Sequence, residues 1–427
     1  MEEFRINGGV LTECCRWDGF VTVPDGVERI EKYAFSACQW LTGIFIPDSV
    51  TVIDDGAFRF CGILTEIRVG EGNPVYRSVD GNLYSKDGKT LIRYASGKKA
   101  KSFCVPDGVT AIGEAAFVYC GSITAVELPD SVRDIGRLAF GYCGALAEIS
   151  VPKNVTIIRD KTFERCRFLS RVTLPEGLRV IGSMAFHSCL SLVSISIPEG
   201  TVDIKRLAFG FCGRLERITV PEGITKIKEG VFFNCLSLKS IRIPDGVTRI
   251  GESAFSGCRA LESVNIPEGT VSIGKMAFWD CGALKWLRVP DGIQGIGEHG
   301  LPPVEAGKSI AADVRLAEIF ERALCRSYHI GAIRGFLERY RVGTVGEEEK
   351  REWLSHIRKR VPLIFNDFHN EPAWYGFVTE YGLISHRRVE NLLKETADPE
   401  CRALLLAYGN RSKNKNAEEL SERYGLE

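Results

Sequence analysis

The sequence of 427 residues predicts an α/β solenoid of 23-residue coils followed by a small all-α domain. Two residue types keep one period, and the period stops before the chain does. Prolines recur at positions 24, 47, 106, 129, 152, 175, 198, 221, 244, 267 and 290, so every gap is 23 except one of 59. Ten cysteines follow the same spacing, and after Pro302-Pro303 the apolar residues recur at helical intervals. One such repeat cannot bury its own apolar face, so successive repeats must stack on one continuous core.

Two segments outside the regular repeat are expected to form β-hairpins. The first is a capping hairpin over residues 1–22, before a solenoid that spans 23–301. The second is an insertion over about residues 70–104, which accounts for the long gap between prolines. Its Asp80-Gly81 and Asp87-Gly88 pairs are typical of tight turns between antiparallel strands.

Each coil is predicted to combine one strand, one turn and one helical turn. In the unit that begins at Ile243, alternation around an I-x-I core indicates a short strand with inward aliphatic side chains. Pro244 ends the strand because it has no N–H, and Asp245-Gly246 makes the turn. The following V-x-x-I and A-F-x-x-C spacings favour a helical turn on the opposite side.

The periodic cysteines are interpreted as a structural ladder. They occupy one repeat position: Cys38, Cys61, Cys120, Cys143, Cys166, Cys189, Cys212, Cys235, Cys258 and Cys281. Stacked thiols could form disulfides or bind metal, but no C-x2-C or histidine spacing accompanies them. We expect buried thiols that bond to turn backbone, and therefore a reducing compartment.

Residues 302–427 predict six or seven short helices. Thr344-Val345-Gly346-Glu347 fits a capping box, and Asp398-Pro399 fits a cap followed by proline in the first turn. The expected role of this domain is to cover the apolar edge of the last coil.

The repeat pattern I-P-(D/E)-G-V-x-x-I-G-x-x-A-F-x-x-C-x-x-L resembles the BspA-like subclass of bacterial leucine-rich repeats. The resemblance covers about residues 1–301, and the insertion beginning at Asn73 looks like a module of that family. It implies a solenoid of leucine-rich-repeat type. It also implies an interaction protein, often surface-attached and adhesive.

Composition and motifs exclude several functions. The 55 basic and 55 acidic residues leave no net charge to attract nucleic acid. No apolar run is long enough for a membrane span. Phosphate-binding, dinucleotide-binding and H-E-x-x-H motifs are absent, so we expect no cofactor, no metal and no enzyme activity. The N-terminal segment lacks a signal-peptide pattern, so a cytoplasmic location is expected, the alternative being the cell surface by an unrecognised route.

An effector enzyme with its chemistry in residues 302–427 is the less favoured alternative. Its candidate nucleophiles are Cys325 and Cys401. Cys325 lacks the Cys-x-Asp signal of the helical ubiquitin-ligase domains that some bacterial repeat proteins carry. Buried structural cysteines are expected instead.

The favoured function is a non-enzymatic scaffold that binds an unidentified protein partner through the concave strand face. The alternative is a cell-surface adhesin of the same fold. Trp and Arg are enriched in interface hot spots, and the last four coils concentrate them with lysines on this face. The predicted partner-binding residues are Arg217, Lys239, Arg242, Lys285, Trp286 and Arg288. A second set precedes the ladder cysteines and is expected to roof the core: Phe60, Tyr119, Tyr142 and Phe211.

Overall fold

The computed structural model describes residues 4–15, 19–36, 38, 40–284, 287–302, 314–323, 325–368 and 371–410. The chain divides into two compact units, Met1–Pro302 and Pro303–Glu427.

The first unit is a β-solenoid. Its coils contribute strands to two faces, and on each face the strands of successive coils pair in parallel. The strands of one face, the strand face, end close to the repeat proline: Gly19–Thr22, Leu41–Ile46, Glu66–Val69, Ser102–Cys104, Ala125–Glu127, Glu148–Ser150, Arg171–Thr173, Ser194–Ile195, Arg217–Ile218, Ser240–Arg242 and Ser263–Asn265. The opposite face carries two-residue strands: Arg29–Ile30, Val52–Ile53, Ala111–Ile112, Asp134–Ile135, Ile157–Ile158, Val180–Ile181, Asp203–Ile204, Lys226–Ile227, Arg249–Ile250, Ser272–Ile273 and Gly295–Ile296.

Parallel pairing places identical repeat positions side by side. Ser240 pairs with Ser263 and Ile241 with Val264, an offset of one repeat. The burial of Ser240–Arg242 alternates exposed, buried, exposed, as the period-2 pattern predicts. The sequence therefore specifies the register of the strand face correctly.

The helical turn expected over V-x-x-I is wrong. Arg249–Ile250, the last two residues of that motif in one coil, is extended and pairs in parallel with Ser272–Ile273 of the next coil. The A-F-x-x-C segment forms hydrogen-bonded turns, with left-handed backbone at Ser253 (φ 52°) and Gly257 (φ 77°). Extended residues here bond to the adjacent coil, and the described residues of this unit include no helix.

Two ladders fill the solenoid core. The phenylalanines of the A-F positions stack with ring centroids 4.9–6.0 Å apart between successive coils, from Phe117 to Phe278. The ladder cysteines are buried and free. Cys212 Sγ donates to the Phe186 carbonyl of the preceding coil at 3.1 Å, and most ladder thiols repeat this contact. The predicted thiol–backbone bonding is confirmed.

Both segments for which hairpins are expected contain an antiparallel strand pair. Phe4–Asn7 pairs antiparallel with Val10–Cys14, and Tyr76–Val79 pairs with Asn82–Ser85 through a turn at Asp80-Gly81. Thr90–Arg93 adds to the second hairpin after a turn that contains Asp87-Gly88. Asp80 and Gly81 both have positive φ, as a two-residue turn of this type requires.

Two buried polar side chains join the insertion to the solenoid. The Asn73 amide nitrogen donates to the carbonyls of Pro47 and Val50, and its oxygen accepts from two backbone N–H groups. Arg93 donates to the carbonyl of Phe58 at 3.2 Å and to that of Ala115 at 2.7 Å. In an array without the insertion, the Phe58 carbonyl would accept a hydrogen bond from the next ladder thiol. Arg93 is the donor in its place.

The second unit consists of helices. They are α1 Val314–Arg322, α2 Arg326–Arg341, α3 Glu347–Arg358, α4 Val361–Ile364, a 3-10 turn Phe365–Phe368, α5 Pro372–Glu380, α6 His386–Glu395 and α7 over residues 399–410. Its core contains stacked aromatic pairs, including Phe336 with Trp353 and Phe368 with Trp374. None of the helices within the described residues is both long and apolar enough to span a bilayer.

One of the two predicted helix caps is confirmed. Asp398 Oδ1 accepts from the Cys401 N–H at 2.8 Å at the start of α7. The capping box at Thr344 is wrong, because Gly346 is the N-cap of α3 and makes no side-chain cap. The Thr344 hydroxyl donates instead to the Arg339 carbonyl near the end of α2.

Candidate interaction surface

The strand face presents one outward side chain per coil between two aliphatic positions that are buried or partly buried. From the first coil onward these residues are Thr22, Phe45, Arg68, Cys104, Glu127, Ser150, Thr173, Ser196, Thr219, Arg242, Asn265 and Arg288, all exposed except the half-buried Phe45. Parallel strands set neighbouring members about 4.8 Å apart. These outward residues therefore form a row of side chains on a regular backbone.

The middle of this row is a track of short hydroxyl side chains. Ser150, Thr173, Ser196 and Thr219 occupy four consecutive coils and are exposed. We call these four residues the hydroxyl track. Short side chains allow another backbone to approach and lose little rotamer entropy when they are covered. The track therefore offers donors and acceptors at a low ordering cost.

Four of the six predicted partner-binding residues lie within the described part of the chain. Arg217, Lys239, Arg242 and Arg288 are all exposed on the strand side of the last coils. Lys285 and Trp286 lie outside the described residues.

Two arginines of this set are already paired with carboxylates. Arg242 bonds to Glu222, which raises the pKa of the arginine further. Arg288 Nη2 lies 3.1 Å from Glu268 Oε1. Glu222 and Glu268 precede their arginine partners by about one coil, so the pattern of basic residues in the last coils does not indicate these pairs. This end of the face carries less unpaired positive charge than its sequence suggests.

Ion pairs between neighbouring coils are a general property of the first unit. Examples are Arg137–Glu114, Lys153–Asp130, Arg206–Glu229, Lys228–Asp203 and Lys275–Glu298. Most of these side chains are substantially exposed, so each pair contributes little stability.

The aromatic residues before the ladder cysteines form a surface row. Phe60 and Tyr119 have ring centroids 5.2 Å apart, and Tyr119 and Tyr142 are 4.8 Å apart. The two tyrosines pack against the buried cluster that contains Val118. Phe211 contacts the ring of His187 in the preceding coil and that of Phe233 in the following coil. These contacts agree with a roof over the core.

The two candidate nucleophiles of the helical unit are buried. Burial, together with the neighbouring Asp398, raises the pKa of the Cys401 thiol to about 12. Cys325 Sγ lies 3.6 Å from the Ala323 carbonyl. A nucleophilic cysteine requires a lowered pKa and access to substrate, so this environment disfavours catalysis at Cys401.

The helical unit also contains a polar cluster that sequence spacing did not reveal. Ligand-type atoms of Glu321, His329 and His356 all lie within 4.8 Å of one another. Burial lowers the pKa of His329, and it lowers that of His356 to about 4. The two histidines are 27 residues apart on different helices, so no short motif contains them.

A family model described as a BspA type leucine rich repeat region matches in six copies, over residues 12–79, 93–213 and 180–302. A leucine-rich repeat protein of Bacteroides ovatus has a similar solved structure, with 26% identity, a TM-score of 0.50, and coverage of 76% of this chain and 96% of that chain. A leucine rich cell surface protein of Faecalibacterium prausnitzii is 28% identical, with a TM-score of 0.43 and coverage of 68% and 93%.

A leucine-rich repeat protein of Eubacterium ventriosum is 22% identical, with a TM-score of 0.39 over 66% of this chain. The chain spans 64% of the length of that protein. No curated protein matches the chain.

Proposed function

Because the chain belongs to the BspA-type leucine-rich repeat family, we propose that it is a non-enzymatic scaffold that binds a protein partner along the strand face of its solenoid. The family by itself supports the broader assignment of a protein-interaction or adhesin-like scaffold. The hydroxyl track is the observation that carries the narrower proposal. Four short polar side chains in register are suited to an extended segment of a partner.

Charged residues flank the track and would orient such a partner. Arg68 lies toward one end, and Arg217 and Arg242 lie toward the other. The Arg242–Glu222 pair is exposed, so a partner carboxylate can exchange with Glu222 at small cost. Charge complementarity of this kind sets specificity and association rate more than affinity.

We further propose that the protein acts in the cytoplasm. The ladder cysteines form no disulfide in the described part of the chain, and most ladder thiols bond to carbonyls of adjacent coils. This arrangement suits a reducing compartment. Fractionation of the producing cell tests the proposal, and recovery of the protein only outside the membrane would favour the adhesin alternative.

Two threonine substitutions test the proposed binding face. Thr219→Arg places a long charged side chain in the hydroxyl track, and Thr225→Arg makes the same change at an exposed position before the strand Lys226–Ile227 of the opposite face. A partner is first captured with the full chain and then purified for titration. We expect Thr219→Arg to weaken its binding at least tenfold and Thr225→Arg to leave binding unchanged. Equal affinities for the two variants would contradict the assignment of the strand face.

A further inference from the structure

Three helices of the second unit bring two imidazoles and one carboxylate together. Glu321 belongs to α1, His329 to α2 and His356 to α3. The Nε2 atoms of the two histidines are 3.0 Å apart, and their rings are inclined by 80°. Both histidines are buried, with 5% and 3% of their surfaces exposed. The helices therefore direct three potential ligands to one point inside the unit.

We propose that His329 Nε2, His356 Nε2 and a Glu321 carboxylate oxygen bind one divalent transition-metal ion, with Zn²⁺ as the best-suited ion. Two imidazoles and a carboxylate are a donor set that Zn²⁺ accepts, whereas Mg²⁺ and Ca²⁺ prefer oxygen ligands alone. Three protein ligands leave a fourth tetrahedral position for water or another small ligand.

The observed geometry is close to what such a site requires. Two nitrogens that bind one tetrahedral Zn²⁺ lie about 3.3 Å apart, given Zn–N bonds of about 2.0–2.1 Å. A rotation of either ring that moves Nε2 by a few tenths of an ångström converts the observed contact into that separation. Arg360 donates from Nε to both Glu321 oxygens at 2.8 Å, which fixes the carboxylate plane. Hydrogen bonds of this kind typically orient a metal-binding carboxylate.

An unsatisfied nitrogen gives independent support. His356 Nδ1 is buried and has no hydrogen-bond partner among the described residues, although Glu318 Oε1 lies 3.9 Å away. Metal binding through Nε2 requires the remaining ring proton to sit on Nδ1. That proton faces Glu318, so a small movement of the glutamate completes a carboxylate–histidine–metal arrangement. Glu318 and Glu321 are three residues apart on α1 and therefore share one helix face.

The positive charge of Arg360 limits the affinity. Its guanidinium stays beside Glu321 and repels a divalent cation, although the two carboxylates of α1 attract that cation. We expect a dissociation constant for Zn²⁺ in the micromolar range.

The test uses the full chain with Cys104→Ser, which removes an exposed thiol that would bind zinc itself. After treatment with a chelator, the protein is titrated with Zn²⁺ by calorimetry and with Co²⁺ by visible absorption. We expect saturable binding of one Zn²⁺ and a cobalt spectrum of a four-coordinate site without thiolate charge-transfer bands. Thiolate bands, or no saturable binding, would overturn the proposal. This result would come from protein in which Glu321, His329 and His356 are all intact.

Substitutions in the same background assign the ligands. His329→Ala and Glu321→Gln should each weaken Zn²⁺ binding more than tenfold, and Glu318→Gln should weaken it roughly tenfold through the outer hydrogen bond. His187→Ala, a half-buried histidine of the solenoid, is the matched control and should leave the affinity unchanged. Circular dichroism of each variant verifies that the helices persist. Unchanged affinity in all three folded cluster variants would show that His329 and His356 form only a hydrogen-bonded pair.

Discussion

The two units satisfy their buried polar groups in different ways. In the solenoid the hydrogen-bond partner of a buried polar group lies at a fixed separation along the chain. Most ladder thiols, for example, donate to a carbonyl 26 residues earlier. In the helical unit the separations follow no rule: His329 contacts His356 27 residues away, and Arg334 contacts Glu371 37 residues away. Periodic contacts can be inferred from one repeat, whereas non-periodic contacts depend on how the helices happen to pack.

The units also differ in how they bury charge. The Arg137–Glu114 pair between two coils leaves its side chains 48% and 32% exposed, whereas the values for Arg334–Glu371 are 16% and 30%. Solvent screens the first pair more than the second. We therefore expect the Arg334–Glu371 pair to stabilise the helical unit more than the Arg137–Glu114 pair stabilises the solenoid.

The largest expected effect concerns the phenylalanine stack. Phe209 lies between Phe186 and Phe232, with centroids 5.4 and 6.0 Å away, and is fully buried. Phe209→Ala should lower the free energy of unfolding of the solenoid by about 3–5 kcal/mol, because it leaves a cavity between two coils. Phe211→Ala, at a ring that is 39% exposed, should cost about 1 kcal/mol or less. Urea denaturation measures both, and similar losses would mean that the stack is not the principal core.

A second prediction separates the units by pH in the metal-free protein. Burial lowers the pKa of His356 to about 4, whereas an unfolded histidine ionises near 6.5. Below about pH 6.5 the unfolded helices bind protons that the folded imidazoles do not, so the helical unit should lose about 1–3 kcal/mol as the pH falls toward 4.

The solenoid should show the opposite dependence. Burial raises the pKa of Cys212 and of Cys281 to about 12, whereas unfolded thiols ionise near 8.5. The free energy of unfolding of the solenoid should therefore be constant below about pH 8.5 and should decline as the pH rises from about 8.5 toward 12. Urea unfolding at several pH values, followed by peptide-resolved hydrogen exchange, distinguishes the units. His356→Gln should reduce the acid sensitivity, and Cys212→Ala should reduce the alkaline sensitivity slightly. Loss of both units at the same pH limit would contradict the comparison.

The smallest expected effect is the difference between the two kinds of ion pair. A double-mutant cycle on Arg334 and Glu371 should give a coupling energy of about 1–2 kcal/mol, because the pair is charge-assisted and partly shielded. A matched cycle on Arg137 and Glu114 should give less than about 1 kcal/mol, and 1 M salt should reduce it further. Equal coupling in the two cycles would remove the electrostatic distinction.

Sequence reasoning predicted most of the solenoid because each rule was tested in many coils at once. The strand register, the thiol–carbonyl bonds and the hairpin turn at Asp80-Gly81 all followed from residue type and spacing. It failed at the V-x-x-I segment because isoleucines three residues from a valine suit either a helical turn or a short strand. The neighbouring coil decides between these possibilities by offering a ladder of backbone partners.

Reasoning from sequence was weaker for the candidate sites. Glu222 and Glu268 reduce the predicted basic patch, and they became visible only when adjacent coils were placed together. The His329–His356 contact depends on the packing of α2 against α3, for which spacing gives no signal. The capping box at Thr344 failed because its hydroxyl found the Arg339 carbonyl at the end of the preceding helix.

The junction made by Asn73 and Arg93 has a consequence for how such arrays change length. An insertion in a stacked array leaves backbone carbonyls without their donors, and those vacant acceptors would normally forbid it. Here the inserted segment supplies a donor of its own, since Arg93 reaches the carbonyl of Phe58, and Asn73 adds hydrogen bonds to the carbonyls of Pro47 and Val50. An insertion between stacked coils is therefore compatible with the array when it supplies the missing donor itself, as this segment does through Arg93.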